Sequence, residues 1–299
     1  MNIDELNQQF GKENVIKFYS GESNLPFVEI TNQQASCIVS LYGAHVLHFV
    51  PKGEKDLLWN STKSIYKIGN AIRGGIPLCF PWFGSHESDK TKAQHGFARL
   101  SMWQVESCIC ISDNKTQITL SLIQSEETLS IWPFHFSAKA IITVSQELSV
   151  SLQVLNTGNI AFTYTDALHS YLNISNIKNI QIEGLHYARY FDGFDRTKTI
   201  VDTEKYLYIK KEEKRRYVET SSDCLIHDKE FNRKLRVAKK GSQTTIVWNP
   251  WSETSKVMTD MDGNDYQTMI CIEAANYYSD MISLEPKQTH TLTTVISLE

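Results

Sequence analysis

The chain has 299 residues, of which 41% are hydrophobic and 21% are charged, and its formal net charge is −4. This composition is typical of a globular protein that buries a sizeable core. The slight excess of acidic residues excludes a nucleic-acid binder held by phosphate contacts, but a few local cations still suffice for a small anionic substrate.

Alternation of apolar and polar residues with a period of two dominates the chain and predicts β-strands from end to end. In chain order, strands are expected at 36–50, 103–111, 116–124, 136–144, 147–155, 161–174, 244–249, 267–273 and 289–298. Turn sequences at 112–114 and 156–158 separate neighbouring strands. Helical periodicity is confined to short stretches at 3–10 and within 62–69. Many short strands rich in β-branched and aromatic residues predict two packed antiparallel sheets.

No linker, composition shift or low-complexity segment divides the chain, so we expect one domain over residues 1–299. The one charge run, KKEEKRR at 210–216, has mixed signs and is interpreted as a solvated hairpin tip. The six cysteines form no C-x-x-C pair, which predicts thiols in a reducing compartment. The N-terminal segment is polar and acidic, and no stretch of about 18 apolar residues occurs. We therefore expect a cytoplasmic protein without a membrane span.

Candidate site residues stand in segments that mix charged, polar and aromatic side chains. Arg73 precedes a Gly-Gly pair and is either a ligand contact or part of a structural ion pair. Arg99 ends the segment QHGFAR, where its guanidinium either binds an anion or caps a loop. His169 interrupts an apolar strand, a pattern more typical of a satisfied core histidine than of a catalytic one.

Two carboxylates and several rings complete this set of candidates. Asp202 precedes an aromatic strand, where an Asp usually forms a turn. Glu273 follows a run that should be buried, and a buried carboxylate is costly unless it is paired or functional. The aromatic candidates for stacking on a ligand are Trp82, Trp248 and Trp251. Rings, carboxylates and arginines together suit a sugar that carries an anionic group.

Seven blocks, in order, resemble the hexose-6-phosphate mutarotase (glucose-6-phosphate 1-epimerase) family of the galactose-mutarotase-like superfamily. The resemblance covers about residues 25–298, and its blocks are RGGIP (73–77), FPWFG (80–84), QHGFAR (94–99), ALHSYL (167–172), VD (201–202), VWNPW (247–251) and MICIE (269–273). The chain departs from the family after Glu273, where AANYYSD replaces a common Pro-Gly pair, and at Lys287, where Gly is common.

The resemblance implies an all-β, antiparallel β-supersandwich with a sugar-binding concave face. It implies that His169 and Glu273 perform the proton transfers and that Arg73 and Arg99 hold the phosphate. The positions that match the family's sugar contacts are Gln94, His95 and Asp202. Trp248 is added to them as the ring expected to contact the sugar.

We expect Glu273 to act as the base at the C1 hydroxyl and His169 as the acid at the ring oxygen, with exchanged roles on reclosure. Asp166 or Asp202 is a candidate to keep His169 charged. No motif for a nicotinamide, a flavin or a metal is found, so no cofactor and no metal site are expected. We expect a sugar phosphate as the substrate of a monomer, with neither nucleic acid nor membrane as a partner.

Three other functions remain open from the residues alone. A mutarotase for unphosphorylated aldoses would have no need of two cations in its cleft. A non-catalytic carbohydrate-binding protein would have no need of both His169 and Glu273. A glycoside hydrolase or lyase would need a paired carboxylate acid and nucleophile, for which Asp202 is the partner available to Glu273.

Overall fold

The structure, a computed structural model, describes residues 2–193, 195 and 197–299 of the chain. This part contains the α-helices α1 (Ile3–Phe10), α2 (Glu126–Ile131) and α3 (Trp251–Val257). Short 3-10 helices span Glu22–Asn24, Ala98–Leu100, Asp265–Gln267 and Tyr278–Asp280. The strands are β1 (Ile16–Ser20), β2 (Pro26–Thr31), β3 (Ala35–Ser40), β4 (His45–Pro51), β5 (Leu78–Cys79), β6 (Gln104–Ser112), β7 (Lys115–Ile123), β8 (Phe136–Val144), β9 (Leu148–Asn156), β10 (Phe162–Tyr164), β11 (Asp166–Leu168), β12 (Tyr171–Asn173), β13 (Ile180–Glu183), β14 (Arg189–Asp192), β15 (Ile200–Val201), β16 (Tyr206–Leu207), β17 (Glu213–Val218), β18 (Cys224–Asp228), β19 (Arg233–Lys240), β20 (Thr244–Asn249), β21 (Met269–Asn276), β22 (Ile282–Leu284) and β23 (Thr289–Leu298).

Antiparallel pairing joins the described strands into two large sheets and two small ones. The nine-stranded back sheet has the order β16-β13-β18-β19-β23-β9-β8-β7-β6. The eight-stranded site sheet has the order β15-β14-β17-β20-β21-β11-β5, and β12 also pairs with β21. The small sheets are β1-β2-β3-β4 and β10-β22. The predicted all-β, antiparallel supersandwich is thereby confirmed.

Strand alternation explains how the two large sheets enclose the core. Strands β8 and β9 bury every second residue, and all of these buried residues except Asn156 belong to the main hydrophobic cluster. The back sheet meets the site sheet where β23 contacts β11 and β21. Each large apolar side chain buried there contributes roughly 1.5–3 kcal/mol.

The central strand β21 of the site sheet is buried along its whole length. Ile270, Ile272 and Ala274 point into the main core. Since successive side chains of a strand point to opposite faces, Cys271 and Glu273 lie on the other, outer face of the sheet. The fold therefore holds a carboxylate in a buried position outside the apolar core.

Most predicted strands are present, and three of them, β8, β20 and β23, have the predicted bounds. The stretch 36–50 divides into two strands, and 161–174 divides into three. Helix α1 is confirmed, but the prediction of helix within 62–69 is wrong. That stretch consists of turns and bends. Ser64 accepts a hydrogen bond from the Arg73 backbone N–H at 2.7 Å, and such side-chain bonds compete with helix formation.

The interpretation of 210–216 as a solvated hairpin tip is also wrong. Residues from 213 onward form β17, which pairs with β14 and β20 inside the site sheet. Glu213 and Arg216 are buried. Burial is tolerated because opposite charges of the run pair, as Arg215 and Glu213 do at 3.1 Å.

The six cysteines are free, and four of them are buried. Cys108 and Cys110 on β6 are partly exposed. Within the described residues, no helix has the length and apolar character needed to span a bilayer.

Candidate active site

A cavity of about 260 Å³ lies on the outer face of the site sheet. Its floor is formed by β17, β20 and β21, and its rim by the loops around residues 84 and 95 and by α3. The lining residues are Arg73, Phe83, Gly84, Gln94, His95, His169, Lys214, Arg216, Ile246, Trp248, Thr254, Met258 and Glu273. Six of the eight predicted site residues therefore share one cavity, and Arg99 and Asp202 do not line it.

His169 and Glu273 meet at the centre of this cavity. Glu273 is 1% exposed, and neither of its carboxylate oxygens has a hydrogen-bond partner among the described residues. The His169 Nε2 atom lies 3.5 Å from Glu273 Oε1. The His169 ring stacks on Tyr171 with centroids 4.7 Å apart and planes at 9°, which fixes its orientation. The imidazole and the carboxylate are thus held side by side, and no other hydrogen bond among the described residues occupies the carboxylate oxygens.

Burial decides the protonation of this pair. Loss of solvent lowers the pKa of His169 well below its ordinary value, and the charges of Arg99 and Arg73 lower it further. Burial raises the pKa of Glu273 well above its ordinary value, although Arg216 and Arg99 oppose this shift. Both shifts favour the neutral pair, in which Glu273 carries the proton beside a neutral imidazole.

The segment QHGFAR forms one wall of the cavity. His95 exchanges hydrogen bonds with Gly84, donating its backbone N–H at 2.7 Å and accepting at Nδ1 at 3.1 Å. Gly96 has a φ of 74°, and a Cβ atom there would lie 2.1 Å from the carbonyl oxygen of Phe80. Only glycine therefore permits this close approach of the two loops. The approach brings Gln94 and His95 to the cavity.

The two predicted phosphate arginines differ in their surroundings. Arg73 lines the cavity, where its guanidinium pairs with Asp260 at 2.9 Å and donates to the Tyr171 hydroxyl at 2.7 Å. Arg99 lies behind the wall and donates to the Gln94 carbonyl oxygen at 2.8 Å, while its buried Nε has no partner among the described residues. Arg73 is therefore both a lining residue and a member of an ion pair, the two alternatives left open by the sequence.

Strand β17 brings two further cations to the cavity, and the sequence analysis missed both. Lys214 and Arg216 alternate with Arg215, so they share the outer face of the sheet. Lys214 Nζ lies 2.8 Å from Glu212. Arg216 is paired in register with Ile246, and Ile246 with Glu273, so only one strand separates the two charges. Period-two spacing of Lys214 and Arg216 within the charge run was the available signal.

The other two predicted carboxylates lie apart from the cavity. Asp202 accepts hydrogen bonds of 2.7 Å from Arg215 and from Tyr217. Tyr217 belongs to the main core, so this group is on the inner side of the site sheet. Asp166 is fully buried opposite Asn276, and burial and Asp280 raise its pKa well above the ordinary range.

Of the three candidate tryptophans, only Trp248 lines the cavity. Its ring lies edge-on to those of His169 and Tyr171, each 6.0 Å away between centroids. Trp82 is buried and donates to the Ala93 carbonyl oxygen, whereas Trp251 packs on Tyr266 at the start of α3.

His169, Cys271 and Glu273 bring one potential metal ligand each to within 4.8 Å of one another. Sequence spacing did not predict this group, because His169 comes from a separate segment that pairing with β21 brings alongside. Burial and Glu273 raise the pKa of the Cys271 thiol well above its ordinary value. The expectation that no metal is required for activity stays a prediction.

Two large antiparallel sheets, with the cavity on the outer face of one of them, give the chain the architecture of the galactose-mutarotase-like class. The crystal structure of a "putative mutarotase" from Salmonella typhimurium matches with a TM-score of 0.88 and 30% identity, covering 95% of this chain and 93% of that one. The aldose 1-epimerase family model matches residues 26–297. The chain belongs to the aldose 1-epimerase family.

Two curated relatives agree with this assignment. A Salmonella typhimurium protein named "Putative glucose-6-phosphate 1-epimerase" is 30% identical over 272 residues, which are 91% of this chain and 90% of the relative. A protein of the same name from Escherichia coli K12 is 33% identical over 251 residues, with 84% and 83% of the two chains covered.

Proposed function

We propose that this protein interconverts the α and β anomers of a hexose 6-phosphate, with glucose 6-phosphate as the substrate. The observation that carries the proposal is the buried pair of His169 and Glu273, 3.5 Å apart, on the wall of a cavity that is also lined by cationic side chains. Membership of the aldose 1-epimerase family and the names of the relatives at 30–33% identity support the same reaction and substrate.

The reaction needs one proton removed and one proton supplied at adjacent oxygens. The C1 hydroxyl loses a proton while the ring oxygen gains one, so the C1–ring oxygen bond breaks and an aldehyde forms. Rotation about C1–C2 and reclosure on the other face of the aldehyde give the other anomer. Two side chains that share one proton match this demand, because each turn of the cycle returns the pair to its initial total of protons.

In our mechanism Glu273 is the base at C1 and His169 is the acid at the ring oxygen. Burial favours the neutral pair, so in this mechanism the proton crosses from Glu273 to His169 before ring opening. Arg216 and Arg99 favour the resulting carboxylate. A bound phosphate adds negative charge that favours the resulting imidazolium. Substrate binding therefore helps to create the reactive form, and the roles exchange on closure.

The phosphate requires cations at a distance from C1. We propose Arg73, which lines the cavity, and Arg99, which lies behind its wall, for this role. We add Lys214 because it lines the cavity two strands, or roughly 10 Å, from β21. A guanidinium fork suits a phosphate because it donates two parallel hydrogen bonds. Asp260 pairs with Arg73 and Glu212 pairs with Lys214, and a bound phosphate would replace part of these interactions.

The sugar ring itself would lie against Trp248, with Gln94 and His95 as hydrogen-bond partners of its hydroxyls. Aromatic faces and a few polar groups are the usual composition of a sugar-binding cavity. Asp202 is the weakest of the predicted contacts, because Arg215 and Tyr217 already occupy it on the inner side of the sheet.

We also propose a monomeric, cytoplasmic protein whose partner is this small molecule rather than nucleic acid. The net charge of −4 and the six free cysteines support this proposal.

A second candidate is a mutarotase for unphosphorylated aldoses. It is favoured by one observation, since the carboxylates of Asp260 and Glu212 already offset the charges of Arg73 and Lys214. A neutral sugar could then occupy the same cavity.

The test is a comparison of freshly dissolved α-glucose 6-phosphate with α-glucose, each followed by polarimetry with and without the protein. We expect a large acceleration for the phosphate and a small one for glucose. Equal acceleration would support the second candidate. No acceleration of either sugar would overturn catalysis and leave a carbohydrate-binding protein.

A further inference from the structure

We propose that His169, Cys271 and Glu273 form an inhibitory binding site for a thiophilic divalent cation of the Zn²⁺ class. The ligand atoms of the three residues lie within 4.8 Å of one another. His169 and Glu273 line the cavity, and Cys271 is fully buried directly beside them. The inference goes beyond the proposed function, because a metal at this position would stop proton transfer rather than assist it.

Strand pairing creates this group. Cys271 and Glu273 are two residues apart on β21, so both face outward. Tyr171 on β12 is in register with Cys271, and the Ile272 backbone N–H donates to the Ser170 carbonyl oxygen at 3.3 Å. These contacts fix the segment that carries His169 beside β21. Cys271 and Glu273 therefore belong to the centre of the site sheet, and His169 lies in the two-residue connection between β11 and β12, both of which pair with β21.

The ligands have the chemistry that Zn²⁺ prefers. A nitrogen, a sulfur and an oxygen at about 2.0–2.3 Å from the ion form three corners of its tetrahedron, and open zinc sites have three such protein ligands. Tetrahedral coordination needs the ligand atoms about 3.5 Å apart. His169 Nε2 and Glu273 Oε1 already have this separation, so the remaining approach is at most about 1.3 Å. Both Glu273 oxygens are buried without a hydrogen-bond partner among the described residues, so Glu273 gives up no hydrogen bond when it binds. The fourth corner is left to the cavity.

The neighbouring arginines do not exclude such an ion. Binding replaces the thiol proton of Cys271 and the carboxyl proton of Glu273 with one divalent cation, while His169 binds as the neutral imidazole. Two positive charges leave and two arrive. The net charge seen by Arg99 and Arg216 is therefore unchanged.

We expect inhibition because the ion coordinates the electron pairs that His169 and Glu273 need for proton transfer. The imidazole nitrogen that binds a metal cannot hold the transferable proton, and a coordinated carboxylate is a poor base. A metal in the cavity also occupies space that the sugar needs. We therefore expect inhibition that competes with the sugar phosphate and that a chelator reverses.

The experiment has one readout that is independent of catalysis. Cd²⁺ is added to the chelator-treated protein, and the ultraviolet charge-transfer band of cadmium thiolate is recorded with and without glucose 6-phosphate. In parallel, anomerisation is measured against free Zn²⁺. We expect a saturable band, its loss on addition of the sugar phosphate, and inhibition that EDTA relieves.

Variants assign the effect to this group. Cys271→Ser should weaken Zn²⁺ inhibition at least 10-fold, because loss of even a supporting partner of a metal ligand costs about 10–100-fold in affinity. Cys79→Ser is the matched control, since Cys79 is also fully buried but lies on β5 outside the group. Cys108→Ser is the control for the exposed thiol pair on β6. Both controls should behave as the wild type.

The outcomes separate clearly. The proposal is overturned by absence of a saturable band, or by Zn²⁺ inhibition that survives in folded Cys271→Ser. It is also overturned if the protein accelerates anomerisation of glucose 6-phosphate and this sugar leaves the band unchanged. If Cys271→Ser does not fold, the Cd²⁺ band is measured in Glu273→Gln instead. An unchanged affinity for Cd²⁺ in that variant also overturns the proposal. A protein that binds Cd²⁺ but accelerates neither sugar would refute the proposed function and leave the metal site standing.

Discussion

At the scale of single residues, burial is the property that gives His169 and Glu273 their chemistry. In water an imidazole and a carboxylate would form an ion pair at neutral pH, whereas here loss of solvent favours the neutral pair. The two forms differ by one proton moved across 3.5 Å. Such a pair can take up and return a proton within a single catalytic cycle.

The proton-transfer roles predict the effect of removing either group. His169→Asn and Glu273→Gln each nearly conserve shape, so the fold should survive. We expect each to lower kcat for glucose 6-phosphate by roughly 10²–10⁴, the usual contribution of a general acid or base. Circular dichroism controls for folding. Retention of more than a third of the wild-type rate would remove that residue from the mechanism.

The protonation of the pair predicts the pH dependence. Because the pKa of His169 lies below its ordinary value and that of Glu273 above, the pair keeps one proton across neutral pH. Activity should fall in acid, where His169 is also protonated and the pair carries two titratable protons. It should fall in alkali, where Glu273 is deprotonated and the pair carries none. The measurement is kcat/KM for glucose, whose own charge does not change. A fall centred near pH 6.5, the ordinary value for His, would contradict it.

The cations of the cavity predict discrimination between the two sugars. Arg73→Ala, Arg99→Ala and Lys214→Gln should each lower kcat/KM for glucose 6-phosphate by about 1.5–3 kcal/mol, or roughly 10-fold to 150-fold. Arg→Lys variants should recover part of the loss, because a point charge cannot reproduce the guanidinium fork. Activity on glucose should barely change.

The matched control for these cations is Lys211→Gln. Lys211 is 71% exposed and does not line the cavity. An equal loss on both sugars in the Arg73, Arg99 or Lys214 variants would assign those residues to structure instead of phosphate binding.

At the scale of elements, alternation along a strand separates the chemistry from the core. On β17, Lys214 and Arg216 face the cavity while Arg215 and Tyr217 turn inward to Asp202. On β11, the same alternation turns Asp166 away from the cavity. Asp166 is therefore an inner-face carboxyl, and its influence is on stability.

The buried Asp166 predicts an unusual pH dependence of stability. Its carboxyl ionises near pH 3.9 in the unfolded chain but stays protonated to higher pH in the fold. Above pH 3.9 the unfolded state therefore binds fewer protons, so the contribution of Asp166 to the free energy of unfolding falls as pH rises, by up to about 1.4 kcal/mol per unit. Asp166→Asn removes this dependence. Urea unfolding of the wild type and of Asp166→Asn at pH 5 and pH 8 measures the change of the free energy of unfolding with pH. An equal change in both proteins would contradict the prediction.

At the scale of the whole molecule, the two large sheets together support the cavity of the candidate active site. The proposed reaction needs only protons that side chains supply. Exhaustive dialysis against a chelator should therefore leave the anomerisation rate unchanged or, if the cavity binds Zn²⁺ as proposed, raise it. Loss of activity that returns with added divalent ion would show that a metal is required. The assignment of residues 1–299 to one domain stays a prediction.

The amino-acid sequence by itself determined the all-β architecture and much of the site. The predicted bounds of β8, β20 and β23 match to the residue. Alternation marks β8 and β23 because each buries one face and leaves the other partly exposed, whereas β20 is buried on both faces. Glu273 was identifiable because burial of a carboxylate in a wholly apolar run is costly unless the carboxylate is paired or functional.

Only the tertiary structure decided which of these side chains meet. The charge run at 210–216 became a strand of the site sheet because its neighbours pair with it and its own charges neutralise one another. The group of His169, Cys271 and Glu273 depends on pairing between segments about a hundred residues apart, which local sequence spacing cannot encode. The shifted pKa values of His169 and Glu273 likewise come from burial, a property of the folded sheets rather than of any segment.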